Sequence, residues 1–277
     1  VIPRANITAW RRQAPWSTDA QVEQDLVLSR AIVEIYSDPV LSSQLAFRGG
    51  TALHKLHLSP ALRYSEDIDL VQLQAGPIGP VMTALHATLD PWLGEPRRKQ
   101  SEGRMTFIYR FDSEIQPVTP LRVKVEVNTR EHFSVFGFVR KRVAVNNPWF
   151  TGQAEVVTYA LEELLGTKLR AFYQRKKGRD LFDLAVSLER HPELDAGKTA
   201  DCFQRYMENM GASVSRAEFE ANLAEKLNDP AFHSDIAPLL AFAGEGKFPF
   251  DVSEAAAAVM IRFIALLPGE PWKGRHM

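Results

Sequence analysis

Apolar and polar side chains alternate with a period of two in "MTFIYRFD" (105–112) and "LRVKVEVN" (121–128), which predicts two strands. A weaker strand is expected at 138–145, and "RYSEDIDLVQ" (63–72) reads as a strand that sends Ile68 and Leu70 into a core. Elsewhere the spacing is helical. After Ser17, which suits an N-cap, Val22, Leu26, Leu28, Ile32, Val33 and Ile35 form one stripe. A short helix around 39–45 runs into "AFRGGTALHKLH", where Gly49-Gly50 breaks the pattern and Thr51 caps a helix carrying Leu53 and Leu56. "GPIGPVMTALHATLDPWL" predicts one more helix.

The turn-rich "NNPWFTGQ" (146–153) marks a boundary, and helices are expected beyond it at 156–175, 179–190, 198–210, 215–227 and 254–267. The predicted fold is α+β. Residues 1–150 form a mixed sheet flanked by helices, and residues 151–277 form an all-α C-terminal domain.

Composition changes this picture little. With 33 Lys and Arg against 34 Asp and Glu, any contact with nucleic acid must come from local basic patches. A single cysteine, Cys202, excludes an internal disulfide and suits a cytoplasmic setting. The N-terminal stretch lacks the apolar core of a signal peptide. The most apolar segment, "AAAAVMIRFIALL" (255–267), is short and carries Arg262, so no membrane partner is expected.

The acids of the strand at 63–72 carry the chemistry. Residues two apart on a strand share a face, so Asp67 and Asp69 point together while Ile68 and Leu70 point away. Two adjacent carboxylates stay ionised when a cation sits between them, and hard oxygen ligands suit Mg2+ or Mn2+. Glu126 offers a third acid, on the polar face of its strand with Lys124 and Asn128. Taken alone, Glu126 reads better as a solvated acid on a half-exposed strand, and the aspartates fit a surface strand or a helix cap. A Gly-rich turn opening a helix, as at Gly49-Gly50-Thr51, is suited to phosphate.

Together, "FRGGTALHKLH…LRYSEDIDL" resembles the opening motifs of polymerase-beta-type nucleotidyltransferases. It resembles most closely the AbiEii/AbiGii toxin family, to which the MenT toxins belong. The matching positions are Gly49, Gly50, Thr51 and Leu53, then Arg63, Ser65, Asp67 and Asp69. The resemblance implies a polymerase-beta-like domain followed by a helical one, with Gly49, Gly50, Thr51, Arg63 and Ser65 binding nucleotide. Ser65 would also be a site of self-modification.

The helical half extends the match over roughly residues 45–190. Lys168 falls inside the apolar stripe formed by Val157, Leu161, Leu164, Leu165 and Phe172. A lysine there is expensive unless it is paired or snorkels to water. The family carries a lysine helix followed by Arg/Lys-Asp-x-x-Asp, matched here by Lys168, Arg179, Asp180 and Asp183. That pattern implies that Lys168 meets the triphosphate in an interdomain cleft and that Asp180 positions it, although Asp180 also fits a helix-dipole cap. Asp183 and Arg179 are expected further round that helix. The basic run Arg175, Lys176, Lys177 and Arg179 reads as a solvated loop or as an RNA contact, which Arg97-Arg98-Lys99 and Arg140-Lys141-Arg142 would extend.

The resemblance implies two-metal transfer of NMP from an NTP, with CTP or UTP as donors, to the 3′ end of tRNA. Asp67, Asp69 and Glu126 would hold the metal. It also implies a cytoplasmic toxin opposed by a cognate antitoxin. Three other readings share these residues: nucleotidylation of a protein hydroxyl, an inactive nucleotide- or RNA-binding regulator, and a metal-dependent nuclease.

Overall fold

The chain begins with three helices, α1 (Arg4–Trp10), α2 (Asp19–Ser37) and α3 (Pro39–Gln44). The N-cap of α2 is Thr18, not Ser17. Thr18 accepts from Gln21 N, and Gln21 returns the contact in a capping box. A four-residue strand, β1 (Leu45–Arg48), then runs directly into α4 (Gly49–Leu56). Next come β2 (Asp67–Gln72), α5 (Gly79–Leu93), β3 (Arg97–Ser101), β4 (Arg104–Asp112), β5 (Pro120–Asn128), β6 (Phe138–Asn147) and β7 (Phe150–Tyr159). Helices α6 (Leu161–Gln174), α7 (Gly178–Arg190), α8 (Ala196–Glu208), α9 (Arg216–Leu227) and α10 (Pro230–Ser234) follow. The small strands β8 (Phe242–Ala243) and β9 (Gly246–Lys247) precede α11 (Val252–Arg262).

The computed structural model describes residues 2–243 and 246–274. It divides into two units, residues 1–159 with 239–248, and residues 160–238 with 249–277. The change from mixed to helical structure therefore comes at Tyr159, not at residue 150. "NNPWFTGQ" is the turn of the β6–β7 hairpin, fixed by Arg30 of α2, whose guanidinium lies 4.0 Å from the Trp92 ring and 4.7 Å from that of Trp149. Val157, expected on a helix, lies on β7.

In the first unit seven strands form a mixed sheet in the order β3-β4-β5-β2-β1-β7-β6. One face is apolar. Ile68, Leu70, Val123, Val125, Val127 and Phe107 are at most 1% exposed there, each contributing about 1.5–3 kcal/mol through burial. The opposite face is polar at its centre, because register brings the acids together. β2 pairs in parallel with β5, placing Asp67 beside Lys124 and Asp69 beside Glu126. On the other side β1 sets Arg48 against Asp69.

Residues 239–248 return to this unit. Tyr64 N donates to Leu239 O at 2.7 Å and Ala241 N donates to Leu62 O at 2.9 Å, around an antiparallel bridge between Arg63 and Leu240. The backbone leading into the acidic strand is thus held by a late part of the chain.

The second unit packs an aromatic core of Phe172, Phe203, Phe219 and Phe232. Lys226, 1% exposed, donates to the carbonyls of Phe172 and Tyr173 (2.9 Å to Tyr173) and caps the last turn of α6. No described helix is long and apolar enough to cross a membrane.

Candidate active site

The Gly-Gly turn has its composition because of what lies against it. Gly49 sits at φ +81°, and a Cβ there would fall 2.2 Å from Asp69 Oδ2. Glycine is therefore required both by the backbone conformation and by the close carboxylate. A Cβ on Gly50 would fall 2.4 Å from Arg63 Nη2 and 3.4 Å from Ser65 Oγ. Arg63, 4% exposed, underlies the turn and donates to Tyr64 O at 3.0 Å.

Thr51 lies inside α4; the residue at the N-cap is Arg48. Its hydroxyl reaches across to Asp67 O at 2.6 Å and to Ser65 Oγ at 2.8 Å. It therefore ties the turn to the start of the acidic strand, which a capping role would not do. Gly49, Gly50, Thr51, Arg63, Ser65, Asp67 and Asp69 are all brought together within the first unit.

The acids are unequal. Asp67 Oδ2 pairs with Lys124 Nζ at 2.9 Å, while Asp67 Oδ1 is buried with no hydrogen-bond partner among the described residues. Burial first, then Asp67 and Glu126, push the Asp69 carboxyl above its ordinary range, against the pull of Lys124 and Arg48. Burial works against the Lys124 ammonium, but its hydrogen bond to Asp67 and the charges of Asp67, Glu126 and Asp69 raise it. Glu126 stands in register with Asp69, as a third acid requires, yet both its oxygens meet cations: Arg104 Nε at 3.0 Å and Lys124 Nζ at 3.5 Å. Arg48, paired with Glu131, closes the other side.

Among the described residues no group of three or more His, Cys, Asp or Glu side chains is placed to hold a metal ion. The fit of a divalent cation rests on the pair. Asp67 Oδ1 lacks a partner, and Asp69 is crowded by two like charges that a cation would relieve. Lys124 was noted in the sequence only as a neighbour of Glu126. The parallel register with Asp67 is what makes it part of the site, and that register appears only in the folded sheet.

The second unit holds the other expected residues. Lys168 is 7% exposed, and its ammonium lies 3.2 Å from Asp180 Oδ1 and 2.9 Å from Asp183 Oδ2. Both aspartates are fully buried, so Asp183 faces the lysine and does not turn away from it. Arg175 forks onto Asp180 with contacts of 2.6 and 2.8 Å. Burial opposes ionisation of Asp180, but Lys168 and Arg175 together hold its carboxyl below the ordinary range. The rest of the basic run is also paired: Lys176 with Glu225, and Lys177 and Arg179 with Asp235.

A mixed sheet with this turn-and-acid arrangement defines a nucleotidyltransferase fold of the polymerase-beta type. The comparisons with known proteins agree. Residues 30–258 match the family model described as "Nucleotidyl transferase AbiEii toxin, Type IV TA system". The chain belongs to this AbiEii nucleotidyltransferase toxin family. It is therefore a nucleotidyltransferase of a toxin–antitoxin family, and membership implies an antitoxin partner and the general use of an NTP and a divalent metal. Its fold is similar to that of MenT4, a nucleotidyltransferase toxin from Mycobacterium tuberculosis H37Rv, at 17% identity and TM-score 0.67, covering 96% of this chain and 90% of that one. JHP933 from Helicobacter pylori is similar at 17% identity and TM-score 0.56, covering 91% and 93%. A putative nucleotidyltransferase from H. pylori gives 16% and 0.54, covering 90% and 95%. No curated protein matches in sequence.

Proposed function

We propose that this protein transfers a nucleoside monophosphate from an NTP to a hydroxyl at the 3′ end of an RNA, with tRNA as acceptor and CTP or UTP as donor. The reaction would run in the cytoplasm, where a cognate antitoxin restrains it. The observation that carries this reading is the junction of the Gly49-Gly50-Thr51 turn with the Asp67 and Asp69 carboxylates, one of which keeps a free oxygen.

Asp67 and Asp69 would hold Mg2+ or Mn2+, with Glu126 beside Asp69 as the third carboxylate. When bound, the metal supplies charge neutralisation for the pyrophosphate leaving group. The turn's backbone N–H groups and Thr51 hold the phosphates, and Arg63 and Ser65 support the turn from below. The acceptor oxygen bonds to the α-phosphorus, the bond to pyrophosphate breaks, and Glu126 receives the hydroxyl proton. Lys168 is proposed to neutralise charge on the β- and γ-phosphates, with Asp180 as its positioning residue. An RNA contact at Lys176, Lys177 and Arg179 would exchange their pairs with Glu225 and Asp235 for phosphates.

The test is incubation of the protein with Mg2+, each labelled NTP in turn and total tRNA, beside Asp69→Ala. Label in tRNA with wild type alone supports the proposal and names the donor. Label on protein alone moves the acceptor to a protein hydroxyl. Shortened tRNA indicates a nuclease, and bound nucleotide without any label a binding protein.

A further inference from the structure

The two edge strands of the sheet each carry a basic run, Arg97-Arg98-Lys99 on β3 and Arg140-Lys141-Arg142 on β6, all exposed. A strand alternates its faces, so each run splits. Register assigns the halves. Lys99, Thr106, Glu126, Asp69 and Arg48 stand in one row across β3, β4, β5, β2 and β1. Phe47 pairs with Thr158, and Tyr159 pairs with Phe138, so the row continues through Tyr159 to Phe138 on β6. Phe138, Arg140 and Arg142 therefore share the face of Asp69. Lys141 is on the other face, as is Arg98 at the far edge.

Cations on sheet edges commonly deter pairing with other chains. That role treats both faces alike and needs no aromatic ring. Here the ring of Phe138 is 39% exposed, on the acid face, and is backed by Tyr159 at 5.0 Å between ring centroids. Three strand spacings of about 4.8 Å separate β6 from β2, so Phe138 lies ~14 Å from Asp69 along the row. Arg140 has no ionic partner among the described residues, and Arg142 donates only to the neutral Gln153 side chain. Glu155 stands opposite Arg142 in the register without forming an ion pair with it. An exposed, supported ring beside guanidinium groups not held in ion pairs is what unpaired bases and their phosphates bind.

We propose that Phe138, Arg140 and Arg142 form a landing for the single-stranded 3′ end of an RNA acceptor, one base stacking on Phe138 and the adjoining phosphates meeting the two arginines. The surface rests on the RNA-acceptor reading above and gives it a location. Recognition of this kind tolerates sequence and weakens steeply with salt.

The experiment measures fluorescence anisotropy of a labelled single-stranded RNA with a free 3′ hydroxyl against the full chain over a range of salt. The variants are Phe138→Ala, Phe138→Leu, Arg140→Ser/Arg142→Ser and, on the opposite face, Lys141→Ser. Both Phe138 variants should weaken binding about tenfold; the leucine keeps the packing on Tyr159 and removes only the π-face. Loss of both arginines should weaken binding at least about tenfold and lower the salt slope by ~1.4, two single-strand contacts. Lys141→Ser should stay within about twofold. Equal losses on the two faces, or no loss in any variant, overturn the proposal. Transfer to RNA by wild type with an unchanged KM for RNA in the Phe138 and arginine variants would also overturn it while leaving the reaction standing. Face-dependent binding without transfer would leave the surface standing and remove the reaction.

Discussion

Lys124 places its ammonium 2.9 Å from Asp67 and 3.5 Å from Glu126, in the space between two carboxylates that face the same side of the sheet. It is a resident cation in an acidic site. Replacing Lys124 with Met removes that neutralisation while keeping the length of the side chain. The metal-free variant should lose up to about 1 kcal/mol, since the pair is partly solvated. Mn2+ should bind at least about tenfold more tightly, because one positive charge has left its surroundings. Titration calorimetry and thermal melts measure both effects, and unchanged Mn2+ affinity would remove Lys124 from the electrostatics of the site.

The two glycines of the turn should respond differently. Gly49→Ala meets both a positive φ and Asp69 Oδ2 at 2.2 Å, so the acid itself must move. A cost of about 1–3 kcal/mol and a loss of roughly a hundredfold in transfer rate are expected. Gly50→Ala meets the far end of the buried Arg63 side chain and displaces no acid, so it should lose less in transfer rate. Equal damage from the two substitutions would contradict this assignment.

Removal of Lys168 takes from two fully buried aspartates the cation they share, and leaves Arg175 paired with Asp180. Lys168→Met should therefore destabilise the protein by about 3–5 kcal/mol. Adding Asp183→Asn to it removes the uncompensated charge and should recover much of the melting temperature. If Lys168 acts on the nucleotide, the double variant regains stability but not transfer. Recovery of both would make the lysine purely structural.

Lys226 gives a pH signature in the second unit. Burial lowers its pKa to about 8, against the opposing pull of Asp180 and Glu225. An unfolded lysine titrates near 10.4, so between about pH 8 and that value the unfolded chain binds more protons and stability rises with pH. The melting-temperature gap between wild type and Lys226→Met should widen in favour of wild type from pH 7.5 to 9.5. A constant gap would show that the ammonium is not depressed in the fold.

The residues of the candidate site were legible in the sequence because glycine pairs and alternating acids are local patterns. The strands they depend on were less so. β1 has only four residues, three of them buried, and a short apolar run following a helix does not reveal its period. Every residue of β3 is exposed, so it has no apolar face to betray it. In β7 the buried residues Val156–Tyr159 are consecutive and break the alternation, which made the segment resemble the start of the next helix. Lys168 was legible as a misplaced charge on an apolar stripe. Its two partners became clear only when α7 was seen to turn both Asp180 and Asp183 inward.

The hydrogen bonds that join Leu239 and Ala241 with Tyr64 and Leu62 impose an order on synthesis. The acidic strand and the glycine turn emerge early, but residues 62–64 gain their backbone partners at 239–241 only after everything from 160 to 238 has been translated. A nascent chain carries the residues of the site long before it can hold them in place. In a member of a toxin family, support of the entry to the acidic strand is thus the work of a segment made late.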